Sequence, residues 1–180
     1  MDDINIWKVS AGHAQRFQRG QRGVEKSLED WIERDPSLVG EGLVMVGRRM
    51  QTAAGLIDLL GVDPTGRWVV IEIRKGDFRK ETIAQAKNVA ACILDMDEDE
   101  LITRIDLYLK PRKIEIQTLL AEHNINDQVL FDKREIVIVV AGIGLDQPLE
   151  PLSKALSFQN HPIQVLGFDI CRANHDVSFV

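Results

Sequence analysis

The chain has 180 residues, 44% of them hydrophobic, enough to bury one sizeable core and to make a single domain the expectation. Its formal net charge of −6 is not that of a typical nucleic-acid binder, the start MDDINIWKVS has no apolar signal segment, and no run nears the ~18 apolar residues of a membrane span. The expectation is a soluble, cytoplasmic protein with no membrane partner.

Residues 1–23 read as an N-terminal segment ending in a basic Gly/Gln/Arg-rich stretch, and residues 24–180 as one domain. Residues 24–35, VEKSLEDWIERD, carry Val24, Leu28, Trp31 and Ile32 at helical spacing, and Asp35-Pro36 stops them, because the residue before proline is pushed out of the α region. Strands are predicted near 42–50, 55–62 and 67–74. The last two flank Asp63-Pro64-Thr65-Gly66, where proline presets φ and glycine eases the exit, so the hairpin centres near Thr65. A helix over about 79–95 places Ile83, Ala86, Ala90 and Ile93 on one face and ends in the acidic run Asp95 to Glu100. Residues 101–130 read as a helical excursion with a loop. The remainder reads strand (135–141), helix (about 149–158) and strand (163–171), a βαβ-like unit that favours a parallel pair. The fold class is α/β (α+β), a mixed central sheet flanked by helices.

The hairpin holds the main chemical signal. Each of its apolar strands, GLIDLLGV and WVVIEIRK, carries one acid where a hydrophobic residue is expected, Asp58 and Glu72. A regular hairpin centred on Thr65 sets residue 58 opposite residue 72. Opposed side chains have Cβ atoms roughly 4.5–5.5 Å apart, a distance at which two like charges destabilise the pair unless something positive lies between them. A divalent cation meets that need; so does an ion pair with Arg74, which shares the Glu72 face while Lys75 points to the other.

Charge is unevenly distributed. Residues 1–90 hold 14 basic against 13 acidic side chains, whereas residues 91–180 hold 8 against 15. Arg16, Arg19, Arg22, Lys26, Arg48, Arg49, Arg74, Lys75, Arg79 and Lys80 form the basic side and are candidates for phosphate contact, with solvated surface charge as the alternative. Cys92 and Cys171 are isolated, which argues for a reducing compartment and against a zinc site. His13, His123, His161 and His175 have no metal-binding spacing, and the chain contains neither a GxxxxGK[ST] nor a GxSxG motif.

Glu25 in a helix, Asp58 in a hairpin, Glu72-Ile73-Arg74 and then Gln85 in a second helix together resemble the PD-(D/E)XK nuclease superfamily, and most closely the nuclease domain of NucS-type DNA endonucleases. The resemblance covers roughly residues 24–95. It implies a restriction-endonuclease-like sheet and metal-dependent hydrolysis of DNA phosphodiester bonds. Asp58 and Glu72 would hold Mg²⁺ or Mn²⁺, Ile73 would add its carbonyl, and Glu25 would bind directly or through water, since hard cations prefer oxygen ligands. Gln85 would orient its helix or touch the DNA backbone. DNA is the implied partner, and assembly as a homodimer stays open. Two positions depart from the family: Arg74 stands where a lysine is usual, and Val89 replaces an aromatic residue. Arginine stays protonated and serves only as a charge clamp, so a pseudo-nuclease that keeps the fold and DNA affinity is the alternative.

Overall fold

The computed structural model of the chain describes residues 7–10, 13–16, 18–19, 25–75, 80–127, 131, 135–143, 162–168, 170–173 and 176–179. In chain order, three short strands come first: β1 (Trp7–Ser10), β2 (His13–Arg16) and β3 (Gln18–Arg19). Helix α1 (Glu25–Arg34) precedes β4 (Val44–Thr52), β5 (Gly55–Val62) and β6 (Trp68–Lys75). Helices α2 (Lys80–Asp95), α3 (Glu98–Leu109) and α4 (Ile116–Glu122) follow, and then β7 (Ile136–Ile143), β8 (Ile163–Phe168), β9 (Ile170–Ala173) and β10 (Asp176–Phe179).

The turn between β5 and β6 sets the register of the central hairpin. Gly66 adopts φ +81°, in the left-handed region that glycine enters without steric cost, and its N–H donates to the Asp63 carbonyl at 2.9 Å. The Asp63 carboxylate accepts from the Thr65 N–H at 2.9 Å, the Thr65 hydroxyl at 2.7 Å, the Arg67 N–H at 3.1 Å and Arg67 Nε at 2.8 Å. Burial alone would raise the pKa of this carboxyl, but the Thr65 and Arg67 donors hold it below its usual value. Val62 then pairs with Trp68 and Leu59 with Ile71, so the hairpin centres on Thr65 as the turn chemistry predicts.

Five strands form one mixed sheet in the order β4-β5-β6-β7-β8. The pairs from β4 to β6 are antiparallel, and β6, β7 and β8 are parallel, as expected of the βαβ-like ending. Because side chains alternate along a strand, the sheet feeds two cores. On one face Trp68, Val70, Ile138 and Val140 pack with Ala86, Val89, Ala90 and Ile93 of α2 and with Leu101, Ile105 and Leu109 of α3. On the other, Val69, Ile71, Val137 and Val139 meet Leu28 and Ile32 of α1. This is the α+β arrangement anticipated, with helices on both faces.

Several details differ from expectation. The acidic run does more than end α2: the Asp97 side chain accepts the Glu100 N–H at 2.7 Å, capping α3, and Glu98, Asp99 and Glu100 fill its first turn, where the helix dipole favours negative charge. The predicted strand 163–171 is divided between two sheets, β8 in the central one and β9 in a three-stranded sheet ordered β10-β9-β3. Through β3 the N-terminal segment pairs with β9, and β1 pairs with β2; β2 and β3 carry no apolar alternation to announce them. The predicted helix at 149–158 lies outside the described residues.

Asp63→Ala removes four donors' common acceptor and should lower unfolding free energy by about 1–3 kcal/mol. Urea denaturation of the two proteins checks it; an unchanged midpoint would mean that proline and glycine alone fix the turn.

Candidate metal centre

Asp58 and Glu72 lie where the hairpin comes apart. The β5–β6 ladder runs to Leu59↔Ile71, the register that next sets Asp58 against Glu72, and stops there. The cause is a twist in the neighbouring pair of strands. Residues two apart share a face in a regular strand, yet Leu59 packs on the α1 side and Ile57 on the α2 side. On β4 the opposing residues behave likewise: Arg48 reaches α1 and Met50 enters the α2-side core. Between them Arg49 has φ +50°, a left-handed conformation that costs a non-glycine residue on the order of 1 kcal/mol. Beyond this twist the Ile73 N–H bonds to Asp58 Oδ2 at 2.7 Å in place of a strand carbonyl.

Arg74 closes the gap. Its Nη2 donates to Glu72 Oε2 at 2.6 Å, and its Nη1 donates to the Ile73 carbonyl at 2.9 Å and lies 3.4 Å from Asp58 Oδ2. One guanidinium thus touches all three oxygen donors that the nuclease resemblance assigns to a cation. Glu72 is buried behind it at 1% side-chain exposure, whereas Asp58 at 23% and Arg74 at 26% reach solvent. Burial, and then the charge of Asp58, push the Glu72 carboxyl up to about 7, although Arg74 opposes both. Asp58 is also raised, chiefly by burial, against the Ile73 hydrogen bond and Arg74.

One acceptor is left over. Glu72 Oε1 is buried without a hydrogen-bond partner among the described residues, an expensive condition for a group carrying charge. Among the described residues no three His, Cys, Asp or Glu side chains gather as a metal shell. Two carboxylates and a carbonyl nevertheless fit Mg²⁺ or Mn²⁺, since Mg²⁺ usually binds through one or two carboxylates and keeps several waters. Glu25 opens α1, with its side chain outside the described residues.

The α1 face holds a second charge cluster that the sequence does not announce. Glu29, only 7% exposed, accepts from Arg48 Nε at 2.7 Å and from Arg49 Nε at 3.0 Å. Arg48 also bonds to Asp30 at 2.6 Å and to Glu33. Glu33 in turn accepts from Tyr108 Oη at 2.9 Å and Arg112 at 2.8 Å, and the Arg112 guanidinium stacks 3.8 Å from the Tyr108 ring centre. Burial would raise Glu29, but hydrogen bonds from Arg49 and Arg48 keep it low. Arg48 therefore does not stand as a free phosphate ligand: three carboxylates occupy its guanidinium. Arg49 shares Glu29 with it but is 58% exposed and keeps a solvent-facing side.

Gln85 is exposed on α2, where its Nε2 would lie 3.6 Å from a Cβ at Gly55, placing it over the β4–β5 turn. Val89, beside it, is fully buried in the α2-side core. The β6–β7 register is unbroken through Arg74↔Gly142 and Lys75↔Ile143, so no bulge brings residue 75 round to the face of residue 74. Arg16 and Arg19 lie on β2 and β3 and Lys26 and Lys80 on α1 and α2, their side chains outside the described residues, as are Arg22 and Arg79 altogether.

A family model for the Endonuclease NucS C-terminal domain matches residues 24–137, from the start of α1 to the start of β7 and more than half of the chain. The chain belongs to this family. Among NucS relatives, Endonuclease NucS of Methanocaldococcus jannaschii is 32% identical over 66 residues, 37% of this chain and 25% of that protein. Endonuclease NucS of Corynebacterium jeikeium is 29% identical over 83 residues, 46% of this chain and 33% of that protein. The matched stretches thus span a third or less of these NucS proteins. A repair endonuclease from Pyrococcus abyssi superposes with a TM-score of 0.46 at 15% identity, over 83% of this chain and 49% of that one, too distant a likeness to support more. The NucS match contains Glu25, Asp58, Glu72, Arg74 and Gln85, and reaches beyond the 24–95 stretch where the motif residues lie.

Glu72 should leave a mark on the pH dependence of stability. Its folded pKa, about 7, exceeds the ordinary 4.5, so the folded state holds the proton more tightly and stability falls as pH rises between the two values. The loss is on the order of 2 kcal/mol between pH 5 and pH 8, and Glu72→Gln should flatten it. Denaturation midpoints measured across that range test this, and an equal slope in both proteins would rule it out. By contrast, Arg48→Met should cost about 1–3 kcal/mol, because it takes from buried Glu29 one of its two arginines and from Asp30 and Glu33 one donor each, whereas Arg49→Met, at the more exposed side chain, should have the smaller effect. Equal losses would show that Glu29 depends on both arginines alike.

Proposed function

We propose that this NucS-type domain is a metal-dependent DNA endonuclease of PD-(D/E)XK type, hydrolysing phosphodiester bonds with Mg²⁺ or Mn²⁺. The observation that carries the reading is the unpartnered, buried Glu72 Oε1 beside Asp58 and the Ile73 carbonyl, hard oxygen donors converging where two strands part. The endonuclease names of the relatives support the same chemistry.

In this reading Asp58 and Glu72 hold the cation, Ile73 offers its carbonyl, and Glu25 joins directly or through a water. Held there by Asp58 and Glu72, a divalent ion would supply a water of lowered pKa and positive charge to offset that developing on the phosphate. Arg74, always protonated, takes no proton from water; it clamps the phosphate oxygens. Gln85 holds α2 against the β4–β5 turn or meets the backbone of the DNA. Arg16, Arg19, Arg22, Arg49, Lys75, Arg79 and Lys80 supply phosphate contacts, which release counterions and make binding weaken steeply with salt.

A second reading has a specific observation in its favour. Arg74 already satisfies one oxygen of Glu72, approaches Asp58 and caps Ile73, so the fold holds a positive charge without metal. A pseudo-nuclease that binds DNA and does not cut it is the alternative.

The deciding experiment is cleavage of labelled single-stranded, flap and mismatched DNA with Mg²⁺ and with Mn²⁺. Wild type should cut at least one of these forms, and Asp58→Ala and Glu72→Ala should each reduce cutting to background by removing a ligand. Wild type that binds DNA in a salt-sensitive way but leaves every form intact would establish the second reading.

A further inference from the structure

The Arg74 guanidinium occupies the three oxygen atoms that a cation would use, and this has consequences for both ligands. It forms the only charge-neutralising contact shown for Glu72 among the described residues, at 2.6 Å, and it reaches toward Asp58 Oδ2, which already accepts from Ile73. A divalent ion and a guanidinium cannot both take the same lone pairs, and two positive charges at that separation repel. Arginine suits the stand-in position because its planar fork spans two acceptors, whereas a lysine ammonium is a point charge.

The stand-in is incomplete and removable. It leaves Glu72 Oε1 unpaired, so a cation that engages both carboxylate oxygens or brings waters gains what the guanidinium does not provide. The side chain is 26% exposed and sits one residue from the end of β6. Its in-register neighbour on β7 is Gly142, which has no side chain to bar an outward swing. The Arg74 backbone stays fixed in the β6–β7 ladder throughout, so rotation about the side-chain bonds is enough.

We propose that Arg74 is a built-in cation surrogate: it holds Asp58, Glu72 and the Ile73 carbonyl together without metal, and a divalent ion binds by displacing it. The freed guanidinium then faces solvent at the same site, where a phosphodiester can accept its hydrogen bonds. Metal and DNA binding are consequently coupled, each favouring the state in which Arg74 has left Glu72, and by linkage the coupling is equal in both directions. This rests on the reading of Asp58 and Glu72 as metal ligands.

The test is Mn²⁺ binding to the full chain, followed by the paramagnetic resonance signal of free Mn²⁺, with wild type, Arg74→Gln, Arg74→Lys and Asp58→Ala. Arg74→Gln should bind Mn²⁺ about tenfold more tightly than wild type, and Arg74→Lys should fall between them. Adding a short DNA oligonucleotide should tighten Mn²⁺ binding to wild type several-fold and leave Arg74→Gln unchanged. Thermal melting supplies an independent readout: Arg74→Gln should melt below wild type in EDTA and gain more from Mn²⁺. Wild type binding Mn²⁺ as tightly as Arg74→Gln, in an Asp58-dependent manner, would overturn the surrogate while leaving the metal site standing. Absence of Mn²⁺ binding in every variant would overturn the metal site itself, and the surrogate with it.

Discussion

The parting of β5 from β6 after the Leu59–Ile71 pair is the feature on which the arrangement of Asp58, Glu72 and Arg74 depends. A continuous antiparallel ladder would satisfy the backbone of Ile73 with a carbonyl. Here the strand twists at Arg49 and Asp58, the Ile73 N–H turns to a carboxylate, and two acids are held close with a buried oxygen unpaired. The left-handed φ of Arg49 is a local cost met by the packing around it, as strained backbone at functional sites generally is. The core on each face pins the twist: Leu59 is fixed against the α1 side and Ile57 against the α2 side, both fully buried.

Two arginine–carboxylate clusters lie on either side of this parting, and they differ in completeness. Around Arg48 each guanidinium nitrogen meets an acid of α1, and Glu33 is further tied to Tyr108 and Arg112 of the α3 region. Such a cluster fastens α1 and α3 to the edge of the sheet. Around Arg74 the match is uneven: one carboxylate oxygen is bonded at 2.6 Å, another lies at 3.4 Å, and a third has no partner. The first cluster is satisfied within the described residues, whereas the second leaves a buried carboxylate oxygen without a hydrogen bond there, a condition that costs free energy.

The NucS C-terminal domain match runs from α1 to the start of β7 and so contains Asp58, Glu72 and Arg74. A lysine in place of Arg74 could not span two carboxylates with a planar fork, and the balance between holding the ligands and yielding them to metal is accordingly a property of the arginine.

The sequence alone determined the local elements and the hairpin register. Apolar spacing in α1 and α2 marked those helices, the Asp-Pro-Thr-Gly turn set the register as far as Leu59 and Ile71, and the two-residue spacing set Arg74 on the Glu72 side, because such features depend on neighbours a few residues apart, whereas the ladder ends before Asp58 and Glu72 can pair. The spacing of Glu25, Asp58, Glu72 and Gln85 was enough to point to the family. Tertiary structure alone decided the rest. Glu29 is buried because Arg48 and Arg49 reach it from a strand 19 and 20 residues on. Both arginines turn the same way only because Arg49 is twisted out of regular alternation. The pairing of β3 with β9 joins segments more than 150 residues apart, and the two polar residues of β3 carry no pattern that records it. Whether Asp58 and Glu72 face a cation or an arginine was likewise open in the sequence, since both satisfy the same electrostatics; the reach of the Arg74 side chain across the gap between two strands decides it in the absence of metal.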